Sequence, residues 1–82
     1  MIVTVQTTMR TAAGAIIWLP IATDQPDFAG VLAEISRSGF IAGERIVTEK
    51  LDDGRYREIR REPYAIFAAA IATIAPLHVE LY

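Results

Sequence analysis

Four arginines crowd one short stretch of the chain: Arg55, Arg57, Arg60 and Arg61. A guanidinium is always charged and presents a planar fork of donors that matches phosphate. Regular alternation along a strand would put Arg55, Arg57 and Arg61 on one face, with Tyr56 and Tyr64 close enough to stack on bases. Arg55, Arg57, Arg61 and Tyr56 are therefore the possible nucleic-acid-binding residues. Glu44, Glu49, Glu58 and Glu62 lie in the same stretch. Exposed cations beside carboxylates commonly pair with them in water, at little gain in stability. A solvated, salt-bridged hairpin is the expectation, and weak nucleic-acid binding is the alternative.

The remaining candidates for chemistry are sparser. His78 is the only histidine. A general base or a zinc ligand needs partners, and the nearest acid in sequence is Glu80. Asp24, Asp27, Asp52 and Asp53 offer carboxylate oxygens, but Asp52-Asp53-Gly54 lacks the length and closing Glu of a calcium loop, so helix-cap and turn roles suffice. Thr4, Thr7, Thr8, Thr11, Ser36 and Ser38 carry hydroxyls with no base to activate one. Gly30 belongs to no phosphate-binding glycine pattern. No catalytic, cofactor-binding or metal-binding set emerges, and the expectation is a protein that is not an enzyme.

The elements that would position these groups follow from periodicity. Ile2–Thr8 reads as a strand of β-branched residues. Ala15–Leu19 is an unbroken apolar run including Trp18, typical of a strand buried on both faces, and Pro20 is expected to end it. The short loop between them predicts an antiparallel hairpin. Thr23–Gly39 reads as the main helix. Thr23 or Asp24 would cap it, Pro26 and Asp27 would sit in its first turn, and Gly39 would stop it. Phe28, Val31, Leu32 and Ile35 form its apolar stripe, predicted to dock over Trp18 or Ile16.

Phe40–Leu51 and Arg55–Glu62 predict a second hairpin. A three-residue loop, Asp52-Asp53-Gly54, would put Gly54 at positive φ, Val47 opposite Ile59 and Glu49 opposite Arg57. Residues Tyr64–Ile74 admit either a long helix or a strand, one turn and another strand. The second reading, Tyr64–Phe67, a turn at Ala68–Ile71 and a strand Ala72–Leu81, is preferred, because Pro76 opposes a long helix and His78–Tyr82 alternates.

From Phe40 to Ile74 the pattern also resembles a group of small proteins of bacteria and their phages. It consists of a helix ending in Gly-Phe-Ile, a charged hairpin, and then PYAIFAAAIATIAPL. Those proteins carry an isoleucine-anchored turn between their last two strands. Many have Asn where this chain has Phe67, and a polar turn in place of Ala68–Ala70. The resemblance covers under half of the chain, rests on spacing, and implies no activity.

Composition sets the bounds. Eighty-two residues make one small domain spanning residues 1–82. A chain without Cys has no disulfide or thiolate chemistry, which fits a cytoplasmic location. Eight basic and ten acidic residues leave a net charge of -2, against a mainly electrostatic hold on nucleic acid. Met1–Val5 lacks signal-peptide features, and the near-apolar stretch Tyr64–Val79 is too short and broken for a membrane span.

Of 43 apolar residues, thirteen are Ala and thirty are large, many for one helix on one small sheet to hide. The expected architecture is α+β: a mostly antiparallel sheet of five or six strands with Thr23–Gly39 packed on one face. The expected role is a non-enzymatic module that forms homo-oligomers, most simply dimers, or binds a protein partner. Open sheet edges offer strand addition as one route.

Overall fold

The computed structural model describes residues 1–78 and Leu81. The order of elements is β1 (Ile2–Arg10), β2 (Ile16–Ala22), α1 (Phe28–Ser38), β3 (Phe40–Lys50), β4 (Tyr56–Phe67), a single 3-10 turn (Ala68–Ala70) and β5 (Ile71–Pro76). The strands form one antiparallel sheet in the order β4-β3-β2-β1-β5. With one helix against one face, this is the expected α+β architecture. The preferred strand–turn–strand order of the C-terminal region is also observed, but Tyr64–Phe67 is the end of a continuous β4 rather than a separate strand, and β5 runs Ile71–Pro76 and stops short of the expected Leu81. Val79, Glu80 and Tyr82 lie outside the described residues.

The core forms where alternation turns apolar side chains toward the helix. Val3 and Val5 of β1, Leu19 and Ile21 of β2, Ile41 of β3 and Ile66 of β4 are buried together with Val31 of α1. Phe28, Ile35, Tyr64, Ile71 and Ile74 pack around them.

Three expectations fail here for related reasons. Leu19 and Ile21, not Trp18 or Ile16, lie on the helix side, because Trp18 and Ile16 alternate to the other face. The Ala15–Leu19 run is accordingly not buried on both faces, and Trp18 is 55% exposed. Leu32 is 42% exposed. The helix buries the line through Phe28, Val31 and Ile35, and Leu32 sits beside that line.

The helix is shorter than predicted. Thr23 and Met1 exchange backbone hydrogen bonds, N–H of Thr23 to O of Met1 at 2.9 Å and N–H of Met1 to O of Thr23 at 3.1 Å, which extends the β1–β2 ladder. The Met1 nitrogen also donates to the Gln25 carbonyl at 2.7 Å. Pro26 disfavours a helical Gln25. The cap is therefore Asp27, whose carboxylate accepts from Gly30 N–H at 2.7 Å. Gly39 ends the helix in the left-handed region, as predicted, and its N–H donates to Ile35 O.

Pro20 does not end β2. In an antiparallel ladder, hydrogen-bonded and non-hydrogen-bonded pairs alternate. Since Met1–Thr23 is hydrogen-bonded, Thr4–Pro20 is not, and the Pro20 nitrogen points away from β1. On that side β3 pairs only with Ile21 and Ala22, so no ladder bond is lost. The same alternation, anchored by Leu77 N–H on Ile2 O and Ala68 N–H on Gly39 O, turns Pro76 out of the free edge of β5 and Pro63 out of that of β4. Each strand proline sits where it costs the sheet no donor.

Candidate functional site

The arginine hairpin has the three-residue loop expected from its sequence. Leu51 N–H donates to Arg55 O at 2.7 Å, and Gly54 holds φ +85°. Glu49 stands opposite Arg57, as predicted. Val47 does not meet Ile59. It pairs with Arg60, while Thr48 pairs with Glu58, so Ile59 is the extra residue of a β-bulge.

That bulge separates the predicted cationic set. Arg57, opposite Glu49, and Arg60, opposite Val47, face the helix side. Arg61, opposite Ile46, and Tyr56, opposite Lys50, face the other side. Arg55 precedes β4 in the loop. The shared face of Arg55, Arg57 and Arg61 is thus lost, because an inserted residue resets the alternation.

Carboxylates occupy the arginines. Arg55 Nε donates to Asp53 Oδ2 at 2.5 Å. Arg57 pairs with Glu49, and Arg61 with Glu58, a partner the bulge brings to its own face. Arg60 and Arg45 both donate to Glu62 at 2.8 Å, and Arg45 also lies over the Tyr64 ring, 5.6 Å from its centre. The two guanidiniums, Arg60 first and Arg45 second, hold the Glu62 carboxyl below its usual range. The Glu58 carboxylate likewise raises the Arg61 guanidinium. Residues 44–62 carry six cations and six anions, so the hairpin presents balanced charge rather than a phosphate-binding field.

The other candidate groups do not converge on a reaction centre. Asp27 caps the helix, Asp53 holds the turn, and Asp24 and Asp52 are exposed. Among the described residues no cluster of three or more His, Asp and Glu side chains could hold a metal ion. Nor is any helix long and apolar enough to cross a membrane.

The feature that sequence reasoning missed lies on the helix-free face. A groove of about 390 Å³ runs between Trp18 and Pro20 of β2, Thr4 of β1, Thr48 and Tyr56 of the hairpin, and Ala75 to His78 with Leu81 at the C-terminal end. The wall is closed by Leu77, whose N–H bonds to Ile2 O, and by a bridge between Leu81 and Tyr56. His78 is exposed at this wall. Beyond the groove the same face exposes Ile16 and Phe67, the latter packed against Phe40 with ring centres 5.8 Å apart. Across β1, β2 and β5 the only charged residue is Arg10, at the end of β1, where its guanidinium donates to Gly14 O. Five separate segments build the groove, so no spacing in the sequence announces it. The nearest signal was the excess of large apolar residues.

Comparison with known protein families, with curated proteins and with solved structures finds no match.

Proposed function

We propose that this chain is a non-enzymatic binding module, acting in the cytoplasm, whose working surface is the helix-free face around Trp18 and whose occupant is a complementary apolar protein surface. One observation carries the reading: Trp18 is 55% exposed at the lip of an apolar groove, on strands almost without charge. Half-exposed tryptophans surrounded by uncharged surface are what interface centres are made of, where charge is depleted and Trp supplies the largest contacts. The groove also has the size of a ligand-accepting hollow, within about 300–1,000 Å³. The balanced, paired hairpin gives nucleic acid no comparable footing.

The test uses the sole tryptophan as reporter. In dilute protein, anilinonaphthalene sulfonate should bind the groove saturably and quench Trp18 by energy transfer. Thr4→Asp, which sets a charge on the groove floor, should abolish this while leaving the far-ultraviolet circular dichroism unchanged. Absence of binding, or binding that survives Thr4→Asp in a folded variant, removes the reading.

A further inference from the structure

We infer that the occupant of this face is a second copy of the chain, the two sheets packing face to face about a two-fold axis with each Trp18 seated in the other copy's groove. The inference rests on the binding-face reading and adds the partner.

Self-complementarity is the first argument. A two-fold interface uses one patch twice, so that patch must carry both a projection and a hollow that receives it. Here a half-exposed indole and an apolar groove adjoin on one face. A buried indole also needs an acceptor for its N–H. Thr4 and Thr48 supply hydroxyls in the groove, and His78 supplies a ring nitrogen.

Area is the second. The strands run six to twelve residues, so five of them about 4.8 Å apart make a face about 24 Å across and at least about 20 Å long. That face is uncharged over β1, β2 and β5 apart from Arg10 at the end of β1, and is rimmed on the hairpin side by Glu44, Lys50, Glu58 and Arg61. A stable interface takes about 800 Å² from each partner, roughly a sixth of the chain's 5250 Å². A pleated face of that span supplies an area of that order.

The third argument is that the other route is blunted. Edge-to-edge strand addition needs a run of outward donors and acceptors. On β4, Pro63 faces outward and the Ile59 bulge interrupts the row. On β5, Pro76 faces outward and Ala72 is an extra residue between Thr73 and Ile71. The open edges that the sequence offered for strand pairing are therefore both interrupted. Among the described residues there is also no second α-helix to cover the face from within, since residues 64–76 are strand, turn and strand.

Sedimentation equilibrium across the micromolar range tests the dimer, with acrylamide quenching of Trp18 read on the same samples. The mass should double from 9.0 kDa as concentration rises, and Trp18 should lose its accessibility to acrylamide in step. Trp18→Asp should hold the mass at the monomer value. Leu32→Asp, on the exposed side of the helix, should leave dimerisation intact. A mass that stays at 9.0 kDa throughout, quenching of wild-type Trp18 that does not fall with concentration, or a dimer that persists in Trp18→Asp overturns the inference. The first two need no variant to fold. The dye experiment separates the failures. A monomer that binds the dye keeps the binding face and loses only the second copy, whereas a monomer that never binds it loses both.

Discussion

On the helix side of the sheet, Val3, Val5 and Ile21 are wholly withdrawn from water and Val31 keeps 1% of its surface. One residue along the same strands, Trp18, Ile16 and Thr4 face the other way, and Trp18 keeps more than half of its surface. The two faces share backbone and twist, though the helix side carries Val3, Val5, Leu19 and Ile21 where the other carries Thr4, Gln6, Trp18 and Pro20. They also differ in that eleven helical residues lie across one of them. Strand alternation only sorts side chains into two sets. Which set becomes core depends on a connection elsewhere in the chain, here the one between β2 and β3. A strand pattern can therefore read as buried on both faces when one face is working surface.

Substitutions can break or sharpen that contrast. The largest effect is expected at Ile21→Ala, beneath the helix, which should cost about 2–5 kcal/mol in urea unfolding; a loss below about 1 kcal/mol would mean that the two faces are not energetically distinct. Gly43→Ala comes next. A Cβ there would stand 2.2 Å from Ala22 O, where β2 and β3 meet, and separating the strands should cost about 1–3 kcal/mol. Leu32→Ala should change stability by less than about 1 kcal/mol, since the side chain sits off the buried line; a cost of several kcal/mol would place Leu32 in the core after all.

The smallest effect belongs to Glu62. Its carboxyl is held below the usual range by Arg60 and then Arg45, so its contribution is present above the unfolded-state value and fades as pH falls through the lower folded value. Partial exposure to solvent screens the two ion pairs and keeps it small. Glu62→Gln should slightly lower the neutral plateau of a stability–pH curve, leave its most acidic end unchanged, and so flatten the acid limb between them. A steeper acid limb would contradict the assignment.

Much of the framework was legible because local chemistry dictated it. Gly39 and Gly54 marked positions that need a left-handed backbone, and the Glu49–Arg57 pairing followed from the loop length Gly54 imposes. Pro76 spoke against a long C-terminal helix, whereas the alternation read beyond it falls largely outside the described residues. Other features depended on long-range partners. Pro20 read as a stop because nothing local says which way its nitrogen points. The helix start was misplaced because Met1, more than twenty residues away, claims Thr23 and Gln25. The bulge at Ile59 leaves no compositional mark, so the arginines could not be sorted to their faces. The groove needs Thr4, Trp18, Thr48, Tyr56 and Leu77 together, and only the folded sheet brings them there.

The bulge also bears on how the chain length can vary. Ile59 is 52% exposed and has no partner across the hairpin, while Glu58 and Arg60 oppose the consecutive residues Thr48 and Val47. Deleting Ile59 would join two strand segments that are already in register and would leave every other side chain of β4 on its present side. Deleting a residue such as Glu49 or Arg57 would exchange the sides of everything between it and the next irregularity. Length in this hairpin is thus free at one residue and fixed at its neighbours, so relatives shorter by one should carry the gap at that position.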